Sequence, residues 1–116
     1  MNKVKLTRGQ IGRFTQGLDI TVKSASGWAR DFVPTWDMVM GHKAGRISDA
    51  QYTEEYTRIL SQSHAAVQEL RALGLKQEGQ VRLLCFCRDG AFCHTHLLID
   101  WLVANYPDAF EDGRLK

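Results

Sequence analysis

The stretch "QVRLLCFCRDGAFCHTHLLIDWLVAN", residues 80–105, decides how the chain is read. Its first seven residues are a short apolar run of Val, Leu, Cys and Phe, the pattern of a buried strand. From Cys93 to Asn105 apolar residues recur at helical spacing, and Tyr106-Pro107 closes the helix. Between the two lies CRDGAF, where Gly90 allows a tight turn. A strand, a short loop and then a helix is half of an α/β unit. In open α/β sheets, ligands bind beyond the carboxyl ends of the strands, where such loops lie.

Working outward, KVKL (3–6) alternates and reads as a short strand, followed by a loop over TRGQIGRFTQG (7–17). LDITVKS (18–24) reads as a second strand, with Leu18, Ile20 and Val22 on one face. Pro34 disfavours a helical Val33 and suits the first turn of a short helix from Thr35 to His42. Ser48 with Gln51 forms a capping box, and Tyr52, Tyr56, Ile59 and Leu60 follow at helical spacing. The stripe resumes at Ala66, Val67, Leu70 and Leu73 and stops at Gly74; SQS (61–63) leaves open one bent helix or two. Residues 107–116 are polar and are expected to form a loose C-terminal tail. The order β, β, short α, long α, β, α predicts an α/β domain over residues 1–116. It is a mostly parallel, three- to four-stranded, Rossmann-like sheet flanked by helices.

A chain of 116 residues, 44% apolar and 24% charged, can bury a core without disulfide or metal staples. No apolar run approaches the roughly 20 residues that span a bilayer, so no membrane association is expected. The N-terminus lacks the apolar segment of a secretory signal, and three cysteines is an odd count, so a reduced, cytoplasmic protein is expected. Net charge is only +2, yet residues 1–30 carry +5 and the remainder −3. That bias fits contact with phosphate or nucleic acid, and equally a solvated edge strand.

All three cysteines and two of four histidines lie within residues 83–98. Cys85 and Cys87 share one face of the strand, and Cys93 sits in the first helical turn, where the dipole favours thiolate. His94 and His96 are about 200° apart round the helix, so they cannot both face one ion. Three readings follow. The first is a zinc site of Cys87, Cys93 and His96, with Cys85 or water as fourth ligand. The second is thiol chemistry, with Cys87, Cys93 and His94 as candidate catalytic residues. A cysteine that ends a strand before a helix N-terminus resembles the anion loop of phosphatases and rhodaneses. Their C-x5-R arginine is missing, because that position falls on Cys93. The third reading is structural, with the cysteines used as small hydrophobes and Cys85 mainly packing.

WARDFVPTWD (28–37) interleaves aromatic and charged residues, which suits base stacking or a sheet cover. If the second and third strands are neighbours, Lys23, Ser24, Arg30 and Arg88 are candidate anion contacts and Trp36 a wall of the same site. His42 and His64 are isolated and read as surface residues.

Across residues 18–105 the chain resembles the domain of unknown function 488 family. The motifs that carry this are LDITVKS, the Pro-Trp segment FVPTW, GRISDAQYTEEY, and VRLLCFC leading into CHTH. The family pattern falls on Asp19, Lys23, Ser24, Pro34, Trp36, Ser48, Tyr52, Tyr56, Cys85, Cys87, Cys93 and His94. Thr95 stands where relatives carry an arginine. The resemblance implies an α/β fold related to nucleotide-handling Rossmann-like domains, and no particular reaction. Two functions are therefore expected to compete. One is binding of a phosphorylated nucleotide or nucleic-acid end at the Cys/His loop, with zinc or a thiol. The other is a non-enzymatic protein-interaction or inhibitory role in which that loop is structural.

Overall fold

In the first strand, β1 (Val4–Gln10), Val4, Leu6 and Arg8 are buried while Lys5 is exposed. The computed structural model describes residues 3–14, 16–88 and 90–114. β1 is longer than the four residues expected, because Gly9 belongs to the strand. A Cβ at Gly9 would lie 2.5 Å from the Phe14 ring and 2.9 Å from Arg82, so glycine here serves close packing. β1 pairs in parallel with β3 (Gln80–Cys85), in register from Lys5 opposite Gln80 to Gln10 opposite Cys85.

The second strand, β2, is only Leu18–Asp19, not LDITVKS. Asp19 turns the chain by accepting from the Thr21 amide at 2.8 Å, from the Thr21 hydroxyl at 2.7 Å, and from Ser24. A six-residue 3₁₀ helix, Gly27–Phe32, follows. Next come α1 (Trp36–Lys43), capped by Thr35, and α2 (Asp49–Leu60), with the capping box of Ser48 and Gln51 formed. The long helical stripe is two helices, α2 and α3 (His64–Lys76). They separate where the Ser61 and Ser63 hydroxyls donate to the Arg58 and Leu60 carbonyls. α4 (His94–Asn105) begins at Cys93 as N-cap.

The tail is not loose. Phe110–Asp112 forms a fourth strand, β4, on the free edge of β1, and Phe110 is buried. Arg114 then pairs with Asp112 at 2.8 Å and with Asp100 of α4. Residues 115 and 116 of that tail lie outside the described residues.

The result is a four-stranded, all-parallel sheet of order β2-β3-β1-β4 flanked by helices. α3 and α4 both reach the sheet face that carries Val4, Leu6 and Arg8. Gly74 of α3 lies so close that a Cβ would be 2.4 Å from Val4, and Thr95 of α4 touches Arg8. The core on that side joins Leu6, Leu83, Leu70, Leu98 and Leu102, with Tyr56 donating to the Phe32 carbonyl at 2.6 Å. The opposite face carries Arg82, whose guanidinium lies 4.2 Å from the centre of the Phe14 ring. Because all strands run in parallel, the loops after β1, β2 and β3 meet at one rim.

Candidate functional site

The three sulfur atoms meet at that rim. Cys85 ends β3, Cys87 follows in the loop and Cys93 caps α4; their Sγ atoms all lie within 4.8 Å of one another. Cys85 Sγ and Cys93 Sγ are 3.0 Å apart, and all three thiols are free. Cys85, expected mainly to pack, is a full member of the cluster.

Arg8 reaches the cluster from β1. It is 8% exposed, and its Nη2 donates to Cys85 Sγ at 2.8 Å and to the Cys87 carbonyl at 2.6 Å, while Nε donates to Thr95 Oγ1 at 3.1 Å. Within the cluster the hydrogen bonds favour a thiolate at Cys93 over one at Cys87. Hydrogen bonds with Cys85 and then Cys87 lower the Cys93 thiol pKa, whereas hydrogen bonds with Cys85 and then Cys93 push the Cys87 thiol up. Burial opposes the shift at Cys93 and the donors prevail. Tyr52 faces this charge, and its phenol is raised first by burial and then by Cys93.

His94 is buried against the cluster. Its Nε2 lies 2.7 Å from the Ile20 carbonyl, which only accepts, so Nε2 carries the hydrogen and Nδ1 keeps a lone pair. That Nδ1 is 3.8 Å from Cys93 Sγ. Burial holds the His94 pKa below its ordinary value and keeps the ring neutral. His96 stands apart from the sulfurs. Its Nδ1 accepts from Arg114 at 3.0 Å, and burial followed by the Arg114 charge lowers its pKa.

Above the cluster opens a cavity of about 380 Å³. Cys85, Cys87, Cys93 and His94 line its inner side, Tyr52 and Phe92 its aromatic wall, and Lys23, Trp36, Lys43 and Phe86 also border it. His42 stacks on Phe92 with ring centres 4.7 Å apart, so this histidine, expected at the surface, belongs to the wall. Among the described residues that line the cavity there is no carboxylate. A wider groove of about 800 Å³ at the other end of the sheet is bordered by Lys3, Lys5, Glu78 and Glu111, and has no cysteine or histidine.

The other residues singled out in the sequence divide. Lys23 and Trp36 come together, with the ammonium 5.9 Å from the Trp36 ring centre. Ser24 is turned inward to Asp19, and Arg30 donates to the Val22 and Ala25 carbonyls, so both shape the loop after β2. Arg88 is exposed beside the cluster and is not among the residues bordering the cavity. Arg8 was counted in the sequence only as charge. Its place in a strand whose even-numbered side chains face inward is the signal that points to it.

The family model DUF488-N3a, described as the active DUF488-N3 subclade, matches residues 3–106. The chain belongs to the DUF488 family. The match covers nearly all of this DUF488 protein, including β1 and Arg8, which the motifs at residues 18–105 left out. Comparison with curated proteins and with solved structures gives no significant match. Among the described residues no helix of this DUF488 chain is long and apolar enough to cross a membrane.

Three sulfurs this close could hold a metal ion. Zinc–sulfur bonds of about 2.3 Å in a tetrahedral site set two sulfurs about 3.8 Å apart, between the 3.0 Å of the Cys85–Cys93 pair and the 4.8 Å within which all three sulfurs lie. The Arg8 guanidinium beside Cys85 would offset part of the negative charge that metal-bound thiolates carry.

Proposed function

We propose that the chain binds a phosphorylated nucleotide, free or at the end of a nucleic acid, in the cavity over the sulfur cluster and acts on it there. The observation that carries this is the composition of one cavity, whose described lining combines aromatic rings of Trp36, Tyr52, Phe86 and Phe92, ammonium groups of Lys23 and Lys43, and the cysteine sulfurs, with no carboxylate among those residues. Flat rings take a base, lysines take phosphate, and Cys93 as thiolate is the nucleophile nearest the bound group. The lone pair on the neutral His94 Nδ1, 3.8 Å from Cys93 Sγ, is placed to accept the Cys93 thiol proton as that thiolate forms. The chemistry requires reduced thiols, which supports the reading of a cytoplasmic protein.

The metal-binding geometry favours a second reading of the same centre, in which Cys85, Cys87, Cys93 and His94 hold zinc and the cavity presents the ligand to it. Two measurements on reduced, untagged protein separate these outcomes. Isothermal titration with mononucleotides should show binding that Lys23→Ala weakens. Elemental analysis should give about one zinc per chain if the second reading holds and none if the thiolate acts alone. A nucleotide panel that leaves both the titration and the melting temperature unmoved overturns the binding function.

A further inference from the structure

Two of the aromatic rings that border the cavity are largely open to solvent. Four large apolar side chains stand out as exposed among the described residues: Trp36, Met40, Leu75 and Phe86. Leu75 borders the groove at the far end of the sheet. Trp36 and Phe86, at 48% and 56% exposure, both belong to the cavity wall, and Met40 lies one turn along α1 from Trp36. Large rings left in water beside a ligand site mark a surface that something covers.

We propose that the occupant is a single-stranded nucleic acid, with its terminal nucleotide in the cavity and the neighbouring bases stacked on Trp36 and Phe86. This rests on the nucleotide reading of the cavity and names the form in which the nucleotide arrives. Charge supports it. Lys23 and Lys43 border the same cavity, and Lys23 stands beside the Trp36 ring, so a cation and a stacking plane lie side by side there as phosphate and base do in a strand. Of the acids nearby among the described residues, Asp19 is occupied by Ser24 and Thr21, and Asp49 by His42; Asp37 lies on α1 and is not among the residues bordering the cavity. A bilayer also attracts exposed rings and lysines, but these rings form the walls of a concavity that a bilayer surface cannot enter. A duplex keeps its bases stacked on each other and has none to offer the rings.

The test is fluorescence anisotropy on the full reduced chain. The probe is a labelled single strand of about eight nucleotides, competed with a mononucleotide, a blunt duplex of the same sequence, or vesicles of phosphatidylserine and phosphatidylcholine. The single strand should bind at least about tenfold more tightly than the mononucleotide, and the duplex weakly. Trp36→Ala and Phe86→Ala should each reduce affinity for the strand by about 5- to 100-fold, as loss of one stacking contact does. The slope of log affinity against log salt should fall by about 0.7 for Lys43→Ala. Equal affinity for strand and mononucleotide overturns this inference and leaves the cavity assignment intact. If neither binds, both fail. Vesicle binding without strand binding assigns the rings to a lipid surface and overturns the inference.

Discussion

Arg8 is a guanidinium inside a small core, and such a charge is tolerated only where dipoles or anions meet it. Here it meets Cys85 Sγ, the Cys87 carbonyl and Thr95 Oγ1. Methionine would keep much of the volume and remove every donor. Arg8→Met should therefore lower unfolding free energy by about 2–4 kcal/mol, followed by urea denaturation. A variant as stable as the parent would show that the hydrogen bonds give nothing net. This residue was illegible in the sequence for a physical reason: its contacts lie 77 to 87 positions away. Cys85, read from the sequence as mainly packing and as a possible fourth ligand, is both buried in the core and part of the sulfur group. A cysteine in a buried strand is usually a small hydrophobe, and only Arg8 and Cys93 beside it make it otherwise.

At the scale of elements, signals confined to a few neighbouring residues were read correctly. The Ser48 capping box, the end of β3 and the start of α4 all depend on contacts within one turn or one strand. β2 was overcalled because β-branched residues invite a strand, while the Asp19 carboxylate offers the backbone a turn instead. That turn has a pH signature. Burial acts to raise the Asp19 pKa, but hydrogen bonds from Ser24 and Thr21 outweigh it and hold the carboxyl below its ordinary value. Folding thus favours the ionised form. Its contribution is complete above the unfolded value of about 3.9 and is lost as pH falls through the lower folded value. Melting temperatures followed downward from about pH 5 should fall more steeply for the parent than for Asp19→Asn. Parallel curves would remove Asp19 from the account.

For the whole molecule, the sheet is completed by a segment that looks dispensable. Within the tail Phe110 is the apolar residue that becomes fully buried, opposite Val4 in the register of β4 on β1. Phe110→Ala should cost about 3–5 kcal/mol by thermal or urea unfolding, and a loss under about 1 kcal/mol would mean that the edge strand is an ornament. Parallel pairing of chain ends more than a hundred residues apart leaves no periodicity to read, so the tail was taken for solvent-facing chain.

The borders of the cavity come from the turn after β2, from α1 and α2, and from the two ends of the cysteine loop. A synthetic peptide copying residues 83–98 would therefore contain every thiol of the protein and chelate soft metals without discrimination. It would lack the guanidinium that steadies them, the tyrosine behind them and the tryptophan at the entrance. Whatever selectivity the protein has is a property of its tertiary structure, beyond the reach of any excised fragment.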